Sequence, residues 1–161
     1  MSIELVRIDD RLIHGQVVTT WVKQMEIEQI LIINDLIDQD EVQKSVFDLM
    51  TPQGVKVRTF NIEKFIAVFK KTPIKRRTLL LLTNPADALV LHQGGVTYEK
   101  LNLGGIKYTP ERKQYTKAIS LTEEEKEYLK QLGDDKIDVF VQMIPSDRMI
   151  NLDELLTMEG K

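Results

Sequence analysis

The chain has no cysteine and only two histidines, His14 and His92. Without thiols it can form no disulfide, no thiolate metal site and no cysteine nucleophile, and two histidines are too few for a histidine-rich zinc centre. Any bound metal would have to be held by carboxylates alone. The sequence therefore predicts no metal site.

The sequence also lacks the long apolar segments of membrane and secreted proteins. No stretch approaches the ~20 consecutive apolar residues of a transmembrane helix, and the opening MSIELVRIDD does not have the basic-then-apolar layout of a signal peptide. We therefore expect a cytoplasmic protein with no direct insertion into the membrane. At 161 residues, of which 42% are hydrophobic, the chain fits a single domain spanning 1–161.

An excess of basic charge and the glycine motifs of nucleotide-binding proteins are missing as well. The 22 basic residues are outnumbered by 25 acidic ones, which argues against nucleic acid as a partner. No glycine-rich loop ends in Lys-Ser or Lys-Thr, and no set of three spaced glycines follows the first predicted strand. Neither ATP nor NAD is therefore expected, and no cofactor is predicted. No serine lies in a nucleophile-elbow motif, so Ser/His/Asp hydrolysis is disfavoured.

What the sequence does contain is a regular alternation of strand-like and helix-like segments. Apolar or alternating runs predict strands at 3–8, 30–33, 55–60, 78–82, 100–103, near 118–120, and at 139–143, with helices between most of them. Gly104 and Gly105 are interpreted as a turn after the fifth strand. This alternation predicts an α/β fold, with an open, mostly parallel twisted sheet covered by helices on both faces.

Two predicted helices carry clear sequence signals. The helix after the second strand has Val42, Val46, Leu49 and Met50 on one side. Thr122 with Glu125 three residues later forms the pattern of a capping box at the start of a late helix.

Polar residues follow several of the predicted strands at their carboxyl ends. Parallel sheets bind ligands outside those ends, at a switch in strand order, so one geometric rule would bring these residues to the same edge. Besides His14, the candidates for the rim of such a site are Asn34, Asp35, Thr83, Asn84, Asn102 and Gly104. Four of them, Asn34, Asp35, Thr83 and Asn84, could equally be helix caps and turn residues, and Asn84 before Pro85 fits capping well.

His14 lies in the segment RIDDRLIHGQVV, where the first predicted strand gives way to a helix. A neutral imidazole nitrogen is a good nucleophile toward phosphorus, and His14 could accept a phosphoryl group. The backbone N–H groups of Gly15, Gln16 and Val17 would begin the helix, and they could hold the added negative charge.

Charged residues beside His14 could complete such a site. The guanidinium of Arg11 could bind the phosphoryl oxygens, while Asp9 or Asp10 could orient the imidazole ring or Arg11. The sequence does not assign these roles between the two aspartates. The alternative is that His14 is a polar loop residue and that the aspartates cap the helix or pair with arginines.

The segment RIDDRLIHGQV closely resembles the phosphorylation-site segment of the enzyme IIB subunits of the mannose–fructose–sorbose family of the bacterial sugar phosphotransferase system. The resemblance continues through Asn34-Asp35 and the later motifs TNPAD, NLGG and QMIP, and it covers nearly the whole chain. It implies the open, mostly parallel α/β sheet of that family.

The resemblance also implies a function and partners. His14 would take a phosphoryl group from an enzyme IIA partner and pass it to a sugar bound by the membrane subunits IIC and IID. Arg11 with the amides of Gly15 and Gln16 would be the anion site. The protein would then be peripheral to the inner face of the membrane through these partners.

Two other functions stay open at this point. A regulatory or binding module could use the same edge of the sheet to hold a phosphorylated ligand without ever carrying a covalent phosphate. A small metabolite enzyme could use Asp10 or Asp35 as a base, although a convincing second catalytic group is missing.

Overall fold

A computed structural model describes residues 3–158. Its strands are β1 (Ile3–Asp9), β2 (Gln29–Ile33), β3 (Lys56–Phe60), β4 (Thr78–Leu82), β5 (Lys100–Gly105), β6 (Lys113–Gln114), β7 (Ser120–Leu121), β8 (Asp138–Val141) and β9 (Ile150–Asn151). Its helices are α1 (Gly15–Met25), α2 (Asp35–Asp38), α3 (Glu41–Met50), α4 (Ile62–Lys71), α5 (Pro85–Gln93), α6 (Glu123–Asp134) and α7 (Leu152–Leu156).

Seven strands form one sheet in the order β3-β2-β4-β1-β5-β8-β9. Neighbouring strands in this sheet are parallel, except that β9 runs antiparallel to β8. A separate antiparallel pair is formed by β6 and β7. The chain leaves β1 toward β2 on one side and leaves β5 toward β8 on the other. Because β1 and β5 are neighbours, the order of strands switches between them, and a ligand site is expected at their carboxyl ends.

Hydrophobic clusters cover both faces of this sheet. The leucines of β4 are fully buried, with Leu80 and Leu82 in the cluster under α4 to α7 and Leu79 and Leu81 in the cluster under α1 and α3. A strand buried on both faces has apolar side chains at every position, as the run TLLLL shows. The predicted fold class is therefore confirmed.

Two predicted helix starts are also confirmed. The side chain of Asn84 accepts a hydrogen bond from the backbone N–H of Asp87 and caps α5. The hydroxyl of Thr122 and the carboxylate of Glu125 form the reciprocal capping box at the start of α6.

Three local predictions were wrong. Gly104 and Gly105 do not form a turn, because they are buried residues of β5. The predicted strand at 139–143 is shorter, since β8 ends at Val141, and it is followed by β9. The helix predicted after the second strand is present as α3, preceded by the unpredicted α2, but its apolar side faces outward, with Val42 76% and Leu49 87% exposed.

Candidate functional site

His14 occupies the N-cap position of α1, directly after the loop that follows β1. Its backbone is extended and its side chain does not cap the helix, so the imidazole is free to point elsewhere. Leu12 and Ile13 are buried in the core and anchor the loop. Gly15 has a φ of 48°, which a residue without a Cβ adopts without strain. This arrangement holds the imidazole of His14 at the surface, with 20% of the side chain exposed.

Asp9, rather than Asp10, contacts both the imidazole of His14 and the side chain of Arg11, a choice that the sequence left open. Its carboxylate is fully buried, and Oδ2 lies 2.9 Å from His14 Nε2 and 3.1 Å from a guanidinium nitrogen of Arg7. Its Oδ1 accepts hydrogen bonds from the backbone N–H and the Nε–H of Arg11, at 3.1 and 3.3 Å. One carboxylate thus contacts the histidine and both arginines.

The charge of Asp9 follows from these contacts. Burial raises the pKa of the Asp9 carboxyl, but the hydrogen bond from His14, the charge of Arg7 and the N–H of Arg11 outweigh it. The pKa of Asp9 therefore lies below its ordinary value, and the group is ionised at neutral pH. Since an ionised carboxylate can only accept, Nε2 of His14 carries the proton and donates it.

Arg7 is a residue that sequence reasoning did not place in the site. It is fully buried, and its guanidinium donates to Asn102 Oδ1, to the carbonyl of Gln142 at 3.1 Å and to Asp9 at 3.1 Å. It also lies 5.5 Å from the ring centroid of Trp21. Burial lowers the pKa of Arg7, and the charge of Asp9 opposes that effect. The available signal in the sequence was an arginine directly between two apolar residues, Val6 and Ile8, of a predicted strand.

Asn102 and Gly104 lie beneath the site rather than on its rim, which corrects their predicted position. Asn102 is fully buried, and its side chain bonds Arg7 and the carbonyl of Gln142. Gly104 lies so close to the guanidinium of Arg7 that a Cβ at this position would overlap it. Both residues therefore serve to accommodate Arg7.

Asp10 turns away from the imidazole and toward β5. Its Oδ2 accepts a hydrogen bond from the backbone N–H of Lys107 at 2.8 Å, and its own N–H donates to the carbonyl of Gly105 at 3.0 Å. Within residues 3–158, no hydrogen bond joins Asp10 to His14 or Arg11. Asp10 thus ties the loop after β1 to the segment after β5.

The candidate anion-binding groups lie beside His14. Gly15, Gln16 and Val17 form the first turn of α1, where backbone N–H groups have no partner within the helix. Gly15 and Gln16 are exposed, whereas Val17 also packs against the core. The side chain of Arg11 is 50% exposed. These groups can hold an anion next to the imidazole.

The other predicted rim residues form a second polar group after β2 and β4. The side-chain amides of Asn34 and Asn84 both donate to the hydroxyl of Thr83, at 3.0 Å. Asn34 caps α2, and Asp35 accepts a hydrogen bond from the backbone N–H of Ile62. No hydrogen bond in the described part of the chain connects this group to His14. The capping interpretation accounts for these residues.

Among residues 3–158, no group of three or more histidine or acidic residues is arranged to bind a metal ion. None of the helices in this part of the chain combines the length and the apolar character needed to cross a bilayer.

Comparison with known proteins identifies the family. The model of the sorbose subfamily IIB component of the PTS, the sugar phosphotransferase system, matches residues 3–161. The chain belongs to this family. As a IIB component it takes part in phosphoryl transfer during sugar uptake.

Individual relatives agree with this assignment. The sorbose-specific EIIB component of Klebsiella pneumoniae is 37% identical, over 94% of this chain and 93% of the relative. The mannose-specific EIIAB component of Escherichia coli K12 is 34% identical, over 100% of this chain and 50% of the relative. The crystal structure of the IIBSor domain from K. pneumoniae superimposes with a TM-score of 0.89 and 36% identity, covering 98% of each chain.

Proposed function

We propose that this chain is the phosphocarrier subunit of a sugar transporter, in which His14 takes a phosphoryl group from a phosphorylated IIA component. The group would then pass to a hydroxyl of a sugar held by the membrane subunits IIC and IID. The observation that carries the proposal is the 2.9 Å contact between Asp9 and Nε2 of His14. Because this contact occupies Nε2, the lone pair of Nδ1 is available to attack phosphorus.

The transfer step needs no proton to leave His14. Nδ1 attacks the phosphorus of the donor's phosphohistidine in line with the P–N bond that breaks, and the electron pair of that bond returns to the donor's imidazole. The new P–N bond leaves a positive charge on the ring of His14, whose Nε2–H stays bonded to Asp9. The ionised carboxylate stabilises that charge.

The phosphoryl oxygens would be held by Arg11 and by the N–H groups of Gly15 and Gln16. Nε of Arg11 is bonded to Asp9, and the outer nitrogens of this half-exposed guanidinium make no hydrogen bond within residues 3–158. Arg11 and the start of α1 flank the same imidazole. The negative charge on the phosphoryl oxygens would therefore meet hydrogen-bond donors that are already in place during transfer to Nδ1.

The identity of the phosphoryl donor and the cellular location of the protein follow from the same proposal. A phosphohistidine is itself a high-energy donor, so transfer depends on positioning and charge stabilisation and requires no nucleotide cofactor. The mannose-specific relative is named as an EIIAB component and is twice as long as this chain, which supports IIA as the donor. The protein would lie in the cytoplasm, at the inner face of the membrane.

A labelling experiment tests the proposal. The protein is incubated with phosphoenolpyruvate, the general phosphotransferase proteins and a sorbose-family IIA component, and phosphate stable to alkali but labile to acid is measured. We expect one phosphate per chain, attached to Nδ1 by ³¹P and ¹⁵N NMR.

The two histidines of the sequence provide a matched control. His14→Asn should remain unlabelled, whereas His92→Asn should label like the wild type, since His92 pairs with Asp135 away from the site. An unlabelled wild type would instead favour a module that binds phosphorylated ligands without covalent transfer. Equal labelling of His14→Asn would remove His14 from the mechanism.

A further inference from the structure

A cleft of about 340 Å³ opens beside Arg11, between the loop after β1 and the segment that follows β5. Its lining includes Asp10, Arg11, Lys107 and Lys117. The two lysines and Arg11 are exposed. Asp10 is the one carboxylate among the described residues that line the cleft, and it is engaged with a backbone N–H. The cleft therefore presents an excess of positive charge next to His14.

Hydrogen bonds hold Lys107 in place at this cleft. The carboxylate of Asp10 accepts from its backbone N–H at 2.8 Å, and Arg112 donates to its carbonyl at 2.9 Å. Arg112 is itself fixed by a two-pronged pair with Glu125 of α6, at 2.9 and 3.0 Å. The backbone of Lys107 is thus bonded to the loop after β1 and, through the side chain of Arg112, is linked to α6.

The position of Lys117 is set by the far end of the same segment. Ile106 and Ile119 form a parallel bridge, and the hydroxyl of Thr116 accepts from the N–H groups of Ala118 and Ile119. Lys117 lies within the turn that these bonds close. Because both ends of the segment return to the end of β5, the two lysines lie on the same cleft as Arg11.

We propose that this cationic cleft, lined by Arg11, Lys107 and Lys117, is the docking site for an acidic surface of the phosphoryl donor protein. The inference rests on the phosphocarrier function proposed above. Three cations opposed by one carboxylate attract an acidic partner over a distance of about 10 Å at moderate salt, which raises the rate of encounter at His14.

Charge favours the donor over the membrane subunits as the occupant. Cytoplasmic loops of membrane proteins carry an excess of lysine and arginine, which has the same sign as the cleft. Because the ring of His14 becomes positive when it gains a phosphoryl group of charge about −2, the net charge beside the cleft changes by about −1, which offsets part of the positive excess. The acidic donor would therefore bind the unphosphorylated protein more tightly, and it would be released once its phosphoryl group has been transferred.

Charge reversal at the cleft tests the proposal. Initial rates of His14 labelling are measured against the concentration of phosphorylated sorbose-family IIA component, at low and high salt. For Lys107→Glu/Lys117→Glu we expect KM to rise about tenfold or more at low salt, with kcat at saturating donor changed less than about twofold. The wild-type KM should rise with salt, and that dependence should weaken in the variant.

Matched variants guard against general effects of charge or folding. Lys70→Glu/Lys71→Glu makes the same change of net charge at the carboxyl end of α4, which leads into the amino end of β4. That variant should keep the wild-type KM. The milder Lys107→Gln/Lys117→Gln should raise KM in the same direction by a smaller factor.

Phosphoramidate, a small donor that needs no docking surface, separates the two proposals. A wild type labelled by neither phosphoramidate nor phosphorylated IIA would refute the phosphocarrier function. If both donors label the wild type, two results would overturn the docking site alone. One is that Lys107→Glu/Lys117→Glu keeps KM within about twofold of the wild type; the other is that Lys70→Glu/Lys71→Glu raises KM as much as the cleft variant does.

Discussion

The Nε2 atom of His14 lies 2.9 Å from Oδ2 of Asp9, and the same oxygen accepts a hydrogen bond from the fully buried Arg7 at 3.1 Å. The orientation of a surface imidazole is therefore set by an ion pair inside the core. Arg7 is in turn held by Asn102 and by the carbonyl of Gln142. Changes to this buried chain of contacts should affect phosphoryl transfer and stability together.

Asp9→Asn should slow phosphorylation of His14 by about 100-fold, because an amide of the same shape no longer fixes the proton on Nε2 or stabilises the charged ring. The measurement is the single-turnover rate with saturating phosphorylated IIA component. Asp135→Asn removes the matching 2.9 Å contact to His92 and serves as the control. Equal losses in the two variants would show that the contact at His14 has no special role.

The stability effect of Asp9→Asn should depend on pH. The native pKa of Asp9 lies below its ordinary value, so the unfolded chain takes up the proton first as the pH falls. The carboxylate therefore stabilises the fold fully above about pH 4, and this contribution is lost as the pH falls through the native pKa.

Urea unfolding at a series of pH values measures this difference. At pH 6 the wild type should exceed Asp9→Asn by about 3 kcal/mol, because the substitution leaves the charge of buried Arg7 uncompensated. The difference in free energy of unfolding between the wild type and Asp9→Asn should narrow steadily below about pH 4. A gap that stays constant or widens toward low pH would contradict the ionised pair.

Arg11→Lys should slow transfer about tenfold while changing the free energy of unfolding by less than about 0.5 kcal/mol. The side chain is half exposed, so little packing is lost, but a lysine has no planar fork for the phosphoryl oxygens. Arg148→Lys is the control, since Arg148 makes an exposed two-pronged pair with Glu154 far along the chain. An unchanged rate in Arg11→Lys would exclude Arg11 from the anion site.

Gly104→Ala should destabilise the protein by about 1–3 kcal/mol, because the added methyl group would overlap the guanidinium of buried Arg7. Gly133→Ala is the matched control within α6. There the nearest atom, on Leu152, is 3.7 Å from the added carbon, and alanine favours the helix. Thermal unfolding compares the two variants. A stable Gly104→Ala would mean that Arg7 can move aside without cost.

The sequence was sufficient for the order of the longer strands and helices and for the position of His14 between β1 and α1, because both follow from local hydrophobic periodicity. It did not predict the short elements α2, β6 and β9. It was not sufficient for the network under the site. Arg7 and Asn102 are 95 positions apart, and they meet because β1 and β5 are neighbours with these two residues in register. Periodicity within a segment does not encode which strands are neighbours or how they align.

The same limit explains why the local structure predicted for Gly104 and the packing side predicted for α3 were wrong. A Gly-Gly pair is usually a turn, and only the bulk of Arg7 on the adjacent strand requires glycine inside β5. In α3, apolar residues at helical spacing would ordinarily mark the buried face. Yet α3 packs on the sheet through Phe47, which is 4% exposed.

Two substitutions in α3 should therefore differ sharply in their effect on stability. Phe47→Ala should cost about 3–5 kcal/mol, since it leaves a cavity among buried residues. Leu49→Gln should change the free energy of unfolding by less than about 0.5 kcal/mol, because Leu49 is 87% exposed. Urea unfolding measures both. If Leu49→Gln were as costly as Phe47→Ala, the apolar side of α3 would have to be buried against another surface in solution.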